Sequence, residues 1–560
     1  MSLVHKIGTA IDVTRKGGVP GLYSKIQEVS IRIAKRRRER KWIAAHGHLD
    51  PAARASIEST IASLPRLPLI SVIMPVYNVD EIWLRKCVDS VRSQVYQNWE
   101  LCIADDRSPK PHIRTVLEEY SRLDERIKVV FREKNGHISA ASNSALEIAS
   151  GEFCVLLDHD DELTPDALFW VAHEICNYPD VAMIYSDEDM IDDKGRRFDL
   201  KFKPDFSYDL LLSLNLVTHL SSYRTDVLRK IGGFRVGFEG SQDFDLALRV
   251  FDEIGAGRIR HIPRILYHWR AIPGSVALSG DEKPYAHDRA RLAIGEHLKR
   301  CGVAAEVEAT HLNLHRVRYR LPDEMPKVSL IIYGDRSASI DERPGTTGDI
   351  IVESVRVSQT GELATSLNEA VERSSGEILI FIDAALEPPD DWISELVRFA
   401  LQPGVGAVGA KVIDSNERVI DGGLVFGGKR LCNVAHFRYP QSEPGNMGRN
   451  MVIGNYSAVS LSCMAMRRTE FAAAEGFDRE VGGKFAAADL CLRLGAAGKR
   501  IVHDPYAVMH LPAGKTLSRI TAPTRAEIKC FTDRWSSVIT RDPFYNPNLQ
   551  ATNGDFLIDI

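Results

Sequence analysis

Phe153-Cys154-Val155-Leu156-Leu157-Asp158-His159-Asp160-Asp161-Glu162 is the stretch that decides the fold, because an apolar run there passes directly into four acidic residues. The apolar half predicts a buried strand. The acidic half cannot stay in a core unless a cation neutralises it. Oxygen ligands on a loop at the carboxyl end of a strand suit Mg²⁺ or Mn²⁺. A solvated acidic turn is the alternative for so short a motif.

The composition is that of an ordinary globular protein. The 560 residues are 44% hydrophobic and 26% charged, and the net charge of -5 gives no pull toward nucleic acid. A chain of this length predicts about three to four domain-sized units. Nine cysteines without a Cys-x-x-Cys pair argue against a disulfide framework or a zinc ribbon. No apolar run reaches the roughly 18 residues that cross a bilayer, and no secretory pattern opens the chain, so a cytoplasmic location is expected.

Residues 1–66 differ from the rest of the chain in charge. They contain thirteen Lys and Arg against five Asp and Glu, with the basic run Lys35–Lys41 at the centre. Apolar residues recur at helical spacing from Leu22 to Ile33, which predicts an amphipathic helix over residues 22–42. Such a helix can lie on anionic lipid, each cation contributing about 1 kcal/mol. The alternative is a helix packed on the neighbouring domain with its charges in water.

From residue 69 the chain alternates between apolar runs and helical patterns. Strands are predicted at residues 70–75, 100–104, 128–131 and 153–157, and helices at residues 81–94, 113–123 and 140–149. This alternation requires right-handed crossovers and predicts an α/β fold, a mostly parallel sheet with helices on both faces. Ligands bind such sheets at the carboxyl ends of the strands.

Three predicted loops meet at those carboxyl ends. Val76-Tyr77-Asn78 offers an aromatic face and an amide, Asp105-Asp106 offers carboxylates, and Asp158-His159-Asp160 offers ligands for a cation. This set suits a nucleotide, which presents a flat base, ribose hydroxyls and a diphosphate. No glycine-rich phosphate loop follows the first strand, so a metal ion is expected to hold the phosphates.

Short motifs along the chain occur in the order of a known family. They are Pro75-Val76-Tyr77-Asn78, Asp105-Asp106-x-Ser108, Asn135-Gly136, Gly151-Glu152 and Asp158-x-Asp160, then Gly232-Gly233-Phe234, Gly240–Arg249 and Leu266–Arg270. The set resembles the family 2 glycosyltransferases with a GT-A, Rossmann-like fold. It is most similar to the enzymes that build bacterial surface polysaccharides such as O-antigen. The match runs from about residue 69 to about residue 277.

The resemblance implies an inverting, metal-dependent transfer of a sugar from a nucleotide diphosphate to a hydroxyl. Asp243 stands where the family has its general base, although Gln242 replaces the glutamate that precedes it. Asp160 is implied as a ligand of Mn²⁺ or Mg²⁺, and His268 resembles the late histidine that completes the metal site in some members. Such a base takes the proton of the acceptor hydroxyl, and the cation steadies the departing diphosphate. The alternatives are a helix N-cap for Asp243 and a structural role for His268.

The remaining site residues are expected in two groups. The nucleotide is expected at Pro75, Tyr77, Asn78, Asp105, Asp106, Asn135 and Asp158. The donor and acceptor sugars are expected at Asp187, Glu188, His219, Gln242 and Trp269. Trp269 would stack on a sugar ring, and a core tryptophan is the alternative.

The second half of the chain repeats the first. Placing Gly376 on Gly151 aligns the two halves. The alignment sets Asp383 opposite Asp158, Ala385 opposite Asp160, Ala487 opposite Asp243 and, with a short gap, His510 opposite His268. An alanine can neither hold a cation nor accept a proton, so the second half is expected to lack transferase activity. It is expected to bind glycan, dimerise or brace the first half.

Five regions are therefore predicted. They are a basic, largely helical extension (1–66), a GT-A catalytic domain (67–278), a helix-and-strand connector (279–325), a degenerate GT-A-like domain (326–515) and a C-terminal tail (516–560). A helix is expected near residues 526–535 of the tail, and little packing is expected beyond Pro543.

The expected partners are a nucleotide-sugar donor and a glycan or lipid-linked glycan acceptor, with no nucleic acid. Peripheral contact with the inner face of the plasma membrane, through residues 22–42, and self-association both stay open. Two other functions stay open as well. One is a bifunctional transferase in which both halves act, and the other is a non-catalytic scaffold that binds nucleotide or glycan.

Overall fold

The structure is a computed structural model that describes residues 30–272 except residue 32, and residues 284–334, 345–347, 350–357, 362–428, 430–518 and 520–560. The described chain forms two compact units. The first unit contains residues 39–206 and 214–317, together with Ile560. The second unit contains residues 207–213 and 318–559 and the described residues up to Arg38.

The first unit is built on a nine-stranded sheet. Its strands are β1 Ile70–Val76, β2 Trp99–Asp105, β3 Ile127–Phe131, β4 Phe153–Leu156, β5 Glu162–Leu163, β6 Met183–Ile191, β7 Arg197–Lys201, β8 Ser221–Arg224 and β9 Ile259–Arg270. Their order is β3-β2-β1-β4-β8-β6-β9-β5, and β7 pairs with β6 outside this path. The neighbouring strands β3, β2, β1 and β4 run parallel to one another. Strands β6 and β9 are also parallel, whereas β8 runs antiparallel to its neighbours β4 and β6. The predicted α/β fold is confirmed.

The helices of this unit each bury at least one apolar side chain. They are Pro51–Ser63, Glu81–Arg92, Pro111–Leu123, His137–Glu147, Ala167–Asn177, Thr225–Lys230, Gln242–Ile254 and Pro284–Arg300. In Glu81–Arg92, for example, Leu84, Val88 and Val91 are fully buried. All seven residues of β1 are buried, as expected for a central strand covered on both faces. The short pair β10 Ala305–Ala309 and β11 His315–Tyr319 follows the last helix.

The second unit contains another nine-stranded sheet. The strands after β11 are β12 Val328–Tyr333, β13 Gly345–Thr347, β14 Ile350–Arg356, β15 Ile378–Asp383, β16 Val405–Asp414, β17 Val419–Asp421, β18 Leu424–Phe426, β19 Cys432–Val434, β20 Gly454–Asn455, β21 Cys463–Arg467 and β22 Arg500–Leu511. The helices of this unit are Tyr208–Leu211, Leu363–Glu372, Trp392–Ala400, Arg468–Ala473, Gly482–Ala496 and Arg525–Thr540. The nine strands follow the order β13-β14-β12-β15-β21-β16-β22-β20, with β17 paired to β16 outside this path, while β18 and β19 form a separate two-stranded sheet. From β14 to β22 the order and directions are those of β2-β1-β4-β8-β6-β9.

Residues that the sequence alignment equates make the same hydrogen bonds in the two units. The Gly151 N–H donates to the hydroxyl of Ser71 at 2.8 Å, and the Gly376 N–H donates to its counterpart on β12 at 2.7 Å. The side chain of Asn143 exchanges two hydrogen bonds with the backbone of Phe234, and Asn368 does the same with Phe477. The two sheets are therefore held to their helices by equivalent contacts.

The expectation that little of the chain packs beyond Pro543 is wrong. Tyr545, Leu549, Phe556 and Ile558 are all less than 8% exposed. The ring of Phe556 stacks on that of His436, with their centroids 4.3 Å apart. Widely spaced apolar residues in a polar segment show no periodicity, which is why the sequence does not indicate this packing.

The basic amino-terminal helix is described only in its later part. Residues 33–46 are helical, and the predicted start of this helix, before residue 30, lies outside the described residues. Trp42 is buried, and its ring meets that of Phe202 edge to face at 5.2 Å. Packing of this kind is the expected alternative to lipid contact. Within the described part of the chain, no helix combines the length and apolar character that spanning a membrane requires.

Candidate active site

The acidic loop after β4 is clamped by the end of β9. Asp161 is 1% exposed, and its carboxylate accepts hydrogen bonds from the hydroxyl of Tyr267 at 2.5 Å and the backbone N–H of Arg270 at 2.7 Å. The guanidinium of Arg270 donates to the backbone carbonyl of Asp160 at 2.7 Å and pairs with Glu162. These contacts explain how Asp161 and Glu162 stay next to a core, since each of these carboxylates has a donor or a cation beside it.

Asp158, Asp161 and His219 form the cluster that best suits a metal ion. One ligand atom from each lies within 4.8 Å of the other two. Burial raises the pKa of Asp158, and the charge of Asp160 raises it further. Burial lowers the pKa of His219, which favours the neutral imidazole that binds metals. Two carboxylates and a neutral imidazole fit Mn²⁺ or Mg²⁺, and a cation would relieve the repulsion between the acids.

The residues predicted as metal ligands lie next to this cluster in sequence or in the sheet. Asp160 neighbours both clustered aspartates, and the pKa of each is raised by burial and further by the charge of Asp160. His268 lies opposite Asp189 in the sheet register, and its Nδ1 is 2.5 Å from a carboxylate oxygen of that residue. His268 is thus engaged with Asp189 through Nδ1, and the cluster beside Asp160 takes His219 as its histidine.

Asp243 lies at the start of the helix Gln242–Ile254. Ser241 occupies the N-cap position, and no side chain makes a capping hydrogen bond there. A carboxylate oxygen of Asp243 accepts a hydrogen bond from the side-chain amide of Asn215 at 2.8 Å. Burial raises the pKa of Asp243, and the charge of Glu188 also raises it. The charge of Asp243 in turn contributes to the raised pKa of Asp158, so the two carboxylates lie within electrostatic reach.

The loop after β1 presents an aromatic ring and an amide. Tyr77 is 48% exposed. Asn78 has a positive φ of 55°, and its backbone N–H donates to the hydroxyl of Ser108 at 2.9 Å. Among the residues that the structure describes, nothing bonds its buried side-chain oxygen. The carboxylate of Asp105 accepts from the Ser108 N–H at 3.2 Å, so the two loops brace one another.

Asp106 and its neighbours form a separate network. The carboxylate of Asp106 accepts from the Gly136 N–H at 3.0 Å and pairs with Arg132 at 2.8 Å. The side-chain amide of Asn135 donates to the Asp106 carbonyl at 3.0 Å. The carbonyl of Pro75 accepts from a ring nitrogen of His159 at 3.0 Å. These contacts join the ends of β1, β2 and β4 and the loop after β3.

The acids of β6 are buried among basic side chains. Asp187 lies 2.9 Å from Nε2 of His261 and accepts from the Lys203 N–H at 2.8 Å. Glu188 pairs with Lys201 at 3.0 Å and with Lys203 at 3.3 Å. Burial opposes the charge of Glu188, but the two lysines prevail and lower its pKa to about 2. Glu188 is therefore a carboxylate held by two cations.

Aromatic rings pack against the cluster of Asp158, Asp161 and His219, which we call the metal-type cluster. The ring of His219 stacks on Tyr267 with centroids 4.4 Å apart, and it lies 5.4 Å from the ring of Trp269. The ammonium of Lys201 lies 4.9 Å from the ring of Trp269. Gln242 turns to its own loop, where its side-chain oxygen accepts from the Gly240 N–H at 2.8 Å.

In the second unit, the carboxylate of Asp383, the counterpart of Asp158, is occupied by hydrogen bonds within that unit. Both carboxylate oxygens of Asp383 accept hydrogen bonds from Ser518, at 2.7 Å from its N–H and 3.0 Å from its hydroxyl. One of them also accepts from the Ala385 N–H at 2.9 Å. Ala487 is 6% exposed, inside the helix Gly482–Ala496. The counterpart of Asp158 is thus used as a structural acceptor.

Sequence reasoning missed the contributions of Asp161, Tyr267, Lys203 and Arg270 to this site. The signal for Asp161 was present, since it follows Asp160 in the opening acidic run. Tyr267 and Arg270 belong to a motif that the resemblance includes, yet only the fold brings them onto the acidic loop. Lys203 carries no signal, because a lone lysine usually indicates a solvated surface.

The sheet order and the acidic cluster at its carboxyl edge define a glycosyltransferase of the GT-A class. A family model described as Glycosyl transferase family 2 matches residues 71–232 and 341–469. The chain belongs to this family and is a transferase enzyme.

Two long relatives match nearly the whole chain. An uncharacterised protein of Sinorhizobium fredii, y4gI, is 36% identical over 548 residues, which are 90% of this chain and 60% of that protein. The O-antigen biosynthesis protein RfbC of Myxococcus xanthus is 32% identical over 555 residues, 92% of this chain and 42% of that protein. This chain therefore spans less than two thirds of either relative. Among solved structures, residues 1–349 of S. aureus TarS in complex with UDP-GlcNAc are 22% identical, with 41% of this chain and 66% of that chain covered and a TM-score of 0.34.

Proposed function

We propose that the first unit is an inverting, metal-dependent glycosyltransferase that moves a sugar from a nucleotide diphosphate to a hydroxyl of a growing surface glycan. One observation carries the proposal. Asp243, partly buried and held by Asn215, lies within electrostatic reach of Asp158, which forms a cluster with Asp161 and His219. A single displacement at an anomeric carbon is served by a base on the acceptor hydroxyl and a cation on the leaving diphosphate.

Asp243 is the proposed general base. The amide of Asn215 donates to one of its carboxylate oxygens at 2.8 Å, which orients the carboxylate. Burial raises its pKa, which brings its basicity closer to the working pH. Among the described residues of this site, a single base with no second carboxylate placed as a nucleophile favours inversion.

A divalent cation is proposed at the acidic loop, with Asp158, Asp160 and Asp161 as candidate carboxylates and His219 or His268 as candidate histidines. When bound, it supplies charge stabilisation to the departing diphosphate. The clamp from Tyr267 and Arg270 holds the loop in place before the ion arrives.

The nucleotide is proposed to lie against the loops after β1 and β2. Tyr77 offers an exposed ring for the base, and the buried oxygen of Asn78 is positioned to accept a hydrogen bond. Asp105 and Asp158 would bind base or ribose hydroxyls. Asp106 and Asn135 hold the shape of this pocket through contacts of their own.

The sugars are proposed to lie near the aromatic group and the buried acids of β6. Trp269 and His219 would pack on a sugar ring, as aromatic faces do on apolar ring surfaces. Asp187, Glu188 and Gln242 would shape the hydroxyl contacts, with Glu188 acting through its two lysines.

The second unit is proposed to be without transferase activity. Asp383 is fully engaged with Ser518, and alanines occupy the positions of Asp160 and Asp243. A bifunctional enzyme predicts that substantial transfer survives in Asp160→Ala and Asp243→Asn, whereas one active site predicts that transfer falls by about a hundredfold or more in each. A non-catalytic scaffold predicts no turnover by the unchanged protein.

The acceptor class follows from the relatives. RfbC is named for O-antigen biosynthesis, which supports a lipid-linked surface glycan as the acceptor of this chain. The exposed basic residues Arg36, Arg37, Arg40 and Lys41 would allow peripheral contact with the inner face of the plasma membrane. Flotation with anionic vesicles tests this contact.

A thermal-shift panel of UDP, dTDP and GDP, each with and without Mn²⁺, tests the donor site. We expect one diphosphate to raise the Tm only when the metal is present. Stabilisation without metal, or by none of the three, would contradict the proposed site. Asp158→Asn should abolish the metal-dependent shift.

A further inference from the structure

A short segment from the middle of the catalytic sequence lies in the second unit. Residues 207–213 cluster with residues 318–559, whereas the chain before and after them belongs to the first unit. The segment contains the helix Tyr208–Leu211. Ser207, Asp209 and Ser213 are each at most 2% exposed. A buried polar segment of this kind must have its hydrogen bonds satisfied.

Asn455 supplies most of those hydrogen bonds. Its side-chain oxygen accepts from the Ser207 hydroxyl at 2.9 Å and from the Asp209 N–H at 3.1 Å. Its side-chain amide donates to a carboxylate oxygen of Asp209 at 2.7 Å and to the Ile501 carbonyl at 3.3 Å. Arg500 completes the network with an ion pair to Asp209 at 2.9 Å. All of these contacts lie inside the second unit.

The chain that leaves this anchor carries two residues of the catalytic site. Asn215 is two residues beyond Ser213, and its amide holds Asp243 at 2.8 Å. His219 is four residues further and belongs to the metal-type cluster. The Thr218 hydroxyl donates to the Asn215 carbonyl at 2.6 Å, so the loop holds its own shape.

Each end of the loop 214–219 has its own support. After it, β8 begins at Ser221 and pairs with β4 and β6. Before it stands the anchored segment 207–213, and at its far end the ammonium of Lys203 donates to the carbonyls of Thr218 and His219. We propose that Asn455 is a positioning residue for transfer, because its hydrogen bonds to Ser207 and Asp209 hold the chain that places Asn215 against Asp243. The proposal rests on the proposed role of Asp243, and it gives the alanine-bearing second unit a function in the reaction.

Asn455→Ala removes an acceptor from Ser207 and both an acceptor and a donor from Asp209, all of them buried. Since buried polar groups without partners are costly, the segment should loosen. Small misplacements in an active site lower turnover by up to about a hundredfold, so we expect kcat to fall by about ten- to a hundredfold. The nucleotide loops are on other strands, so the KM for the donor should change less than about twofold.

Asn433→Ala is the matched control. Asn433 is a buried asparagine of the same unit, and its amide donates to the carbonyls of Gly427 and Ala551 at 3.0 and 2.8 Å. It touches no part of the segment 207–213 in these contacts. The control variant should lose stability while retaining kcat.

Hydrogen–deuterium exchange of the full chain gives a readout that needs no turnover. We expect the amides of residues 214–219 to exchange faster in Asn455→Ala than in Asn433→Ala. Ser207→Ala, which removes only the hydroxyl contacts, should show a smaller increase and serves if Asn455→Ala does not fold. Equal exchange in these residues for Ser207→Ala and the control would overturn the inference.

Turnover is followed as release of nucleoside diphosphate from UDP-glucose, UDP-GlcNAc, dTDP-glucose and GDP-mannose with Mn²⁺, with water as the acceptor. Displacement of the Asn215 amide removes a contact that lowers the pKa of Asp243, so the acidic limb of the pH profile should move upward in Asn455→Ala. Glu188, Asp158 and Tyr223 are the ionisable groups coupled to this carboxylate, and they are unchanged. If Asn455→Ala is active and its kcat and pH profile are unaltered, the positioning role of Asn455 is refuted, whereas the proposed function is not. Altered exchange in a protein that hydrolyses none of the four donors would instead count against the proposed function.

Discussion

The substitution Asp243→Asn tests the catalytic assignment most directly. Asparagine has the size of aspartate and keeps an oxygen that accepts from the Asn215 amide, so the helix Gln242–Ile254 should be undisturbed. The variant cannot accept a proton. General bases contribute about 10²- to 10⁴-fold to rate, which corresponds to about 3–5 kcal/mol of barrier. We therefore expect kcat to fall by that factor while donor affinity is retained.

The assay is release of nucleoside diphosphate at saturating donor with Mn²⁺, beside a thermal-shift measurement of donor binding. Burial of the charged carboxylate disfavours the native state, as its raised pKa indicates, so the Tm should be unchanged or higher. Glu253→Gln is the control, because Glu253 lies on the same helix and pairs with Lys230 at the surface. A variant at Asp243 that retains more than about a tenth of wild-type kcat would refute its role as the base.

Further predictions concern pH, the metal and the second unit. Since burial raises the pKa of Asp243, kcat/KM should fall as pH falls through that raised pKa, at higher pH than for an exposed aspartate, and a pH–rate profile checks this. Asp158→Asn should abolish the rise in Tm that Mn²⁺ produces, and an unchanged rise would exclude this residue as a ligand. Burial opposes the charge of His261, but the carboxylates of Asp187 and Asp205 prevail and raise its pKa. The stabilisation of the fold by protonated His261 should therefore be complete below about pH 6.5 and be lost as the pH rises through the raised pKa. The Tm of His261→Gln should depend less on pH. Asp383→Asn should lower the Tm and leave turnover unchanged, and lost turnover would contradict an inactive second unit.

Much of the architecture follows from local patterns. The four predicted strands between residues 70 and 157 correspond to β1–β4. Each is a short apolar run bounded by polar turns, which is the pattern of a strand buried on both faces. The helices between them carry one apolar face each, which is a property of the sequence alone. Carboxyl-end loops converge in any parallel sheet, so the location of the site was also predictable.

The pairing of side chains was not predictable in the same way. His268 stands at the end of a strong motif, but the register of β6 and β9 sets it opposite Asp189 and ties it to that acid. His219 carries no distinguishing neighbours, and the fold brings it to Asp158 and Asp161. Strand register decides which acid His268 faces, because a shift of one residue reverses the face, whereas the loop before β8 places His219.

The sequence by itself determined the α/β class, the two related halves, the order of the acidic loops and the presence of alanines where the second half would need Asp160 and Asp243. These features depend on local periodicity and residue chemistry. The tertiary structure alone decided that Tyr267 and Arg270 clamp the acidic loop and that Asn455 anchors residues 207–213. Contacts between residues 100 to 250 positions apart depend on how the whole chain packs, because hydrogen-bond geometry leaves no local signal in a sequence.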